Sequence, residues 1–99
     1  MLEVKIFIDE ADLHENKPMH EYLMRYLMHH NIIGASVFEA YEGYGKKHHL
    51  HHLKGLGTVD ESPLMIFFVD EEDKVKSILP HIKEIVNDGL IVTCKVERY

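Results

Sequence analysis

Leu64-Met65-Ile66-Phe67-Phe68-Val69 is a nearly continuous apolar run. It is short enough to be a buried strand at the centre of a sheet. The chain on either side supports that reading. Downstream, Asp70 is placed to cap a helix, and Glu71, Glu72 and Asp73 fall in its first turn, where carboxylates favour the helix dipole. Val75, Ile78, Leu79, Ile82, Ile85 and Val86 recur at helical spacing and form an apolar stripe. Pro80 lies inside that helix and predicts a kink or local break. Gly89 ends the helix, and Leu90 to Val96 is a β-branched final strand.

Upstream, the same patterns occur in the same order. Leu2, Val4, Ile6 and Ile8 alternate with Glu3, Lys5 and Phe7, a period of two that predicts a strand with one apolar face. Asp9 to Lys17 is polar and reads as a loop. Pro18 suits the first turn of a helix, where its missing N–H costs nothing. Met19, Tyr22, Leu23, Tyr26, Leu27 and His30 then mark an amphipathic helix, stopped by Asn31 and Gly34. Ala35 to Tyr41 is extended, with Val37, Glu39 and Tyr41 on one side and Ser36, Phe38 and Ala40 on the other. Residues 42–61 follow neither period and form a loop of about 20 residues, a length associated with function or disorder.

Strand, helix, strand, long loop, strand, helix, strand gives two halves of similar length. That is the split βαβ pattern. The predicted class is α+β: a ferredoxin-like βαββαβ unit, with a four-stranded antiparallel sheet and two helices on one face. The other sheet face is left bare, and Phe7, Phe38, Met65 and Phe67 are expected to point there. A small domain rarely exposes such a face, so this one is expected to pack against other copies.

Ninety-nine residues make one domain, 1–99, and 45% apolar with 28% charged residues is globular composition. The single cysteine, Cys94, excludes an intrachain disulfide and fits a reducing cytoplasmic compartment. It is expected to be packed within its strand. Eleven basic against 17 acidic residues give a net charge of −6, which disfavours gripping nucleic acid along the surface. No apolar run reaches membrane-spanning length and no signal pattern opens the chain.

Nine histidines are unusual, and protonating them all would move the net charge from −6 to +3. Four of them, His48, His49, His51 and His52, crowd into the long loop with Lys46, Lys47 and Lys54. Imidazoles suit borderline metals such as zinc, copper and nickel, yet two on one side of an extended segment do not close a four-ligand site. The same histidines also read as a solvated loop, or as one that turns strongly basic below about pH 6.5. His29 and His30 suit a helix C-terminus, and His81 lies at the border of an apolar stripe. His14 and His20 flank the polar loop with nothing in the sequence to join them. The segment Glu42-Gly43-Tyr44-Gly45-Lys46-Lys47 joins two glycines to adjacent lysines, a combination that lets backbone N–H groups and positive charge approach a phosphate. Taken alone the signal is weak, since Gly-x-Gly is common in turns, and the segment also reads as a strand-ending turn before a solvated basic loop. No Ser-His-Asp signature or nucleophile elbow is present, and no enzyme is expected.

These residues together resemble a known group. Gly34-Ala35-Ser36-Val37 running into Gly43-Tyr44-Gly45-Lys46 is similar to the strand and Gly-Phe-Gly-Arg corner at the base of the long loop of PII signalling proteins. The likeness is closer to the PII-like domain-of-unknown-function family one-ninety. Asn16-Lys17-Pro18-Met19, Glu42-Gly43-Tyr44-Gly45, Leu79-Pro80 and Asp88-Gly89-Leu90-Ile91 match its helix entry, corner, second helix and exit. The resemblance implies a homotrimer with sheets facing inward and an adenine nucleotide, ADP, ATP or AMP, in the clefts between subunits. By position it implies Ser36 and Leu64 near the base, the corner Gly43, Tyr44, Gly45, Lys46 and Lys47 on phosphates, and Gly89 closing the site. Arg98 is a further basic residue near the chain end.

The chain departs from PII at Lys46, where a point charge replaces a bidentate Arg. The turn Asn87-Asp88-Gly89-Leu90 also lacks the Gly-Asp-Gly-Lys that PII uses for phosphates. The implied function is a regulatory protein acting through a mobile loop on a partner protein, a membrane channel or transporter being one kind. The alternative is a divalent-metal-binding trimer that resembles cation-tolerance proteins, with His48, His49, His51 and His52 as ligands.

Overall fold

The computed structural model describes residues 1–45, 51–52 and 62–99. Its elements are β1 (Leu2–Asp9), β2 (Leu13–His14), β3 (Lys17–Pro18), α1 (Met19–His29), β4 (Ala35–Glu39), β5 (Glu42–Gly43), β6 (His51–His52), β7 (Pro63–Asp70), α2 (Glu72–Ile85) and β8 (Leu90–Lys95). The main sheet has the order β4-β7-β1-β8, antiparallel at every step. This is the expected ferredoxin-like α+β arrangement, and β7 is internal as its apolar run requires.

The period-two patterns decide the core. Val4, Ile6 and Ile66 are completely buried and Phe68 is 1% exposed. With Leu2, Ile8 and Leu64 they form one cluster with Met19, Leu23 and Leu27 of α1 and Val75, Ile78, Ile82 and Ile85 of α2. Both helices therefore cover the same sheet face. The register aligns Phe38, Met65, Phe7 and Leu90 in one row across all four strands of the opposite face. Phe38, Phe7 and Leu90 are 51%, 39% and 56% exposed, and Met65 and Phe67 are half-buried. The bare apolar face is thus present in the protomer.

Several local expectations change. The polar stretch after β1 contains the two-residue hairpin β2–β3, turned by Glu15 and Asn16, both at positive φ as in a type I′ turn. Helix α1 ends in a complete Schellman motif. Asn31 sits at φ 61°, its N–H donates to the Met28 carbonyl, and the Ile32 N–H donates to the Leu27 carbonyl, each at 3.1 Å. Helix α2 is capped at Glu71 rather than Asp70, and it continues unbroken through Pro80. Pro80 is exposed, so its ring has solvent on one side. Gly89 lies beyond the helix end rather than in a left-handed cap. A Cβ there would stand 2.5 Å from the Phe7 carbonyl oxygen and 2.7 Å from Val86 Cγ1, so close backbone approach, not φ, demands the glycine. Cys94 is exposed, contrary to expectation, because β8 is an edge strand and its register sets Cys94 opposite Glu3 on the open face.

Asp70 has a different task from the expected cap. Its carboxylate, fully buried, accepts hydrogen bonds from the Ile33 N–H at 3.0 Å and the Glu71 N–H at 2.7 Å. Lys74 Nζ lies 3.2 Å from Oδ1 and also donates to the Asn31 carbonyl at 2.9 Å. Burial alone would raise the carboxyl pKa, but these donors outweigh it and hold the pKa below its ordinary value. One carboxylate thereby ties the exit of α1 to the start of α2.

Candidate functional site

The expected corner begins where β4 ends. The Ala40 N–H donates to the Pro63 carbonyl at 2.9 Å, and β5 then pairs with β6, Glu42 opposite His52 and Gly43 opposite His51. A Cβ at Gly43 would make ordinary contacts, 3.6 Å from Pro63 Cγ, and one at Gly45 would meet nothing within 4 Å. Among the described residues, nothing packed against either position requires a glycine. Tyr44 is 66% exposed at this corner. Ser36 pairs with Phe67, so it lies on the open face of β4, exposed. Leu64 is 6% exposed inside the helix-covered core, so it backs the sheet rather than presenting a free surface. Lys46, Lys47, His48 and His49 lie outside the described residues, and of His51 and His52 only the backbone strand is described. Among the described residues no group of three His, Cys, Asp or Glu side chains could hold a metal ion.

The remaining two expected residues lie elsewhere. Gly89 precedes β8, the edge strand opposite β4. Three strand spacings separate those edges, about 14 Å. Arg98, exposed, follows β8 at the far end of the sheet, where the Val96 N–H donates to the Met1 carbonyl. Gly89 and Arg98 are thus at opposite ends of β8, at least about 17 Å apart along an extended strand. One protomer therefore holds the glycine corner at one sheet edge and the Gly89 turn at the other.

Two constellations were not legible in the sequence. The first is a groove of about 730 Å³ between the end of α2 and the helix-covered side of β8. Leu79, Val86 and Ile91 supply apolar lining, Lys83, Asn87 and Thr93 the polar side chains, and Gly89 borders it. The i, i+4 spacing of Lys83 and Asn87 hints at a shared face, but Thr93 arrives from a strand ten residues away. The second is a run of rings over the helical layer. Tyr22 Oη is hydrogen-bonded to His81 Nε2 at 2.9 Å, and His14 packs on Tyr22 with ring centroids 4.4 Å apart. Tyr26 lies 4.6 Å from His81 and 4.1 Å from His30, whose Nδ1–H donates to the Tyr26 carbonyl. Burial first, then the Tyr22 hydroxyl, raises the Tyr26 pKa. His81 is therefore a partner within this network rather than a bystander at a stripe's border.

The whole-chain pattern has a known counterpart. A sequence model for one family, described as Uncharacterized ACR, matches residues 1–98. The chain belongs to the DUF190 family. A UPF0166 protein of Aquifex aeolicus is 35% identical over 94 residues, covering 95% of this chain and 89% of that protein. A UPF0166 protein of Methanocaldococcus jannaschii is 30% identical over 96 residues, covering 90% of this chain and 82% of that protein. Among solved structures, this DUF190 chain is similar to CPII, a nitrogen regulatory PII-like protein from Thiomonas intermedia K12, solved bound to ADP, AMP and bicarbonate. The TM-score is 0.70 at 15% identity, with 96% of this chain and 84% of that one covered. It is also similar to CutA of Pyrococcus horikoshii, with a TM-score of 0.65 at 16% identity over 100% of this chain and 87% of that one. At these identities the likeness establishes the PII-like fold. No described helix is long and apolar enough to cross a membrane.

Proposed function

We propose that this DUF190 protein is a PII-like regulatory protein, not an enzyme. It binds an adenine nucleotide between subunits of a homotrimer and acts on a partner protein through residues 42–61. The observation that carries this reading is the separation of Gly43–Gly45 and Gly89 to opposite edges of one sheet. Two such half-sites meet only when the β4 edge of one copy approaches the β8 edge of the next. That contact is heterologous, and repeated with closure it makes a ring. The apolar row Phe38, Met65, Phe7 and Leu90 gives such a ring a face to bury. The ADP- and AMP-bound state of CPII supports an adenine nucleotide as the ligand class. In this reading Ser36 is near the base, and the corner from Gly43 through Tyr44, Gly45, Lys46 and Lys47 meets phosphates. Gly89 of the adjoining copy closes the cleft.

The divalent-metal reading draws support from the likeness to CutA, but its ligands, His48, His49, His51 and His52, lack described side chains. Isothermal titration of the assembled protein with AMP, ADP and ATP tests the nucleotide reading. Saturable binding of at least one, at one site per protomer, is expected. No heat from any of the three, with the trimer confirmed by light scattering, overturns it.

A further inference from the structure

The open sheet face is not uniformly apolar. Beside the row through Phe7, the register sets Lys5 between Phe67 and Val92, and Glu3 between Val69 and Cys94. Both charged side chains stand on β1, an inner strand of the sheet. None of these four cross-strand neighbours carries a charge to pair with them. Lys5 Nζ lies 3.6 Å from Glu3 Oε2, too far for a well-formed hydrogen bond. Among the described residues neither side chain makes a hydrogen bond. In the protomer the two side chains are 40% and 24% exposed, so solvent reaches them. Covering the face removes that solvent. An apolar occupant would leave an ammonium and a carboxylate with unused hydrogen-bonding capacity in a dry contact, which is strongly unfavourable. The occupant that fits carries an anion and a cation at matching positions, and a second copy of this chain supplies both.

We propose that Lys5 of each copy pairs with Glu3 of the next, so that the trimer core holds a closed ring of three ammoniums and three carboxylates. This rests on the homotrimer reading above and adds to it the groups that fix how the sheets are set against one another. When the β4 edge of one copy meets the β8 edge of the next, the inner strands β1 and β7 turn toward the common axis. In a cyclic ring each copy meets its two neighbours through different surfaces, so it offers Lys5 to one and Glu3 to the other. Around the ring the charges cancel. The row of Phe38, Met65, Phe7 and Leu90 supplies burial, but apolar burial is non-directional and specifies no register. Directional pairs between copies supply it, as single buried polar groups do in coiled coils.

The test follows assembly of the full chain by light scattering over a dilution series, beside circular dichroism. It compares the wild type, Lys5→Met and the charge exchange Glu3→Lys with Lys5→Glu. Lys5→Met leaves three carboxylates facing one another without a cation. Its trimer is expected to half-dissociate at a concentration at least about tenfold above that of the wild type, with unchanged secondary structure. The charge exchange is expected to recover most of that loss, because the pairs re-form with their members reversed. Lys5→Met dissociating at the wild-type concentration overturns the ring and leaves the trimer standing. A charge exchange that assembles no better than Lys5→Met also overturns it. Wild-type protein that is monomeric throughout overturns both the ring and the trimer.

Discussion

Asp70 shows how much a single side chain can organise. Its two oxygens satisfy the adjacent Glu71 N–H, the Lys74 ammonium one turn on, and the Ile33 N–H, which is 37 positions away in sequence. Asp70→Asn keeps the volume but replaces one acceptor oxygen with a donor and removes the charge that Lys74 faces. At neutral pH this variant is expected to lose about 3 kcal/mol, in the range for breaking a buried pair, read as a lower urea midpoint at unchanged slope. The pH dependence has a definite sign. The folded carboxyl pKa lies below the unfolded value of about 3.9, so its contribution is full above that value. It is lost as pH falls through the folded pKa. The stability difference between wild type and Asp70→Asn should therefore narrow in acid.

At the scale of elements, the two helices end in different ways for local reasons. Helix α1 has an Asn in the left-handed position, which needs no long-range partner. Helix α2 tolerates Pro80 because neighbouring residues bury its opposite face, with Ile78 2% and Ile82 0% exposed. Proline still removes one helical hydrogen bond and crowds the preceding turn. Pro80→Ala is expected to stabilise the protein by about 1 kcal/mol, a fraction of the cost of an interior proline because the native helix already accommodates the ring. A rise in thermal midpoint with unchanged helicity checks this, and a fall would show that proline's restriction of the unfolded chain dominates. The hairpin β2–β3 makes a related point about elements. Nothing in the apolar pattern marks it, because its turn depends on positive φ at Glu15 and Asn16, residues not tied to one turn type.

For the whole molecule, the open sheet face is the dominant unsatisfied feature. Phe7 lies at its centre, between Met65 on β7 and Leu90 on β8. It is 39% exposed, so its side chain contributes little to the protomer's own core. If the proposed trimer buries this face, Phe7→Glu is expected to leave the secondary structure intact and to shift that assembly to monomer, read by light scattering beside circular dichroism. A variant that remains a folded trimer would show that the assembly buries some other surface. On the proposed reading, loss of assembly should also abolish nucleotide binding, since neither sheet edge holds both the Gly43–Gly45 corner and Gly89.

The sequence by itself determined the elements and the class of fold. Alternation at Leu2–Ile8, the apolar run at Leu64–Val69 and the stripes of both helices are local periodicities, and burial of one face follows from each. The Gly43–Gly45 motif could be singled out from the sequence because it is contiguous. Only the tertiary structure decided which strands became edges, and hence that Gly43 and Gly89 lie on opposite sides of one sheet. It alone joined Tyr22 to His81, 59 residues apart, and brought Thr93 to Lys83. Strand pairing and side-chain convergence depend on contacts between remote segments, and no local pattern encodes which remote segment is met.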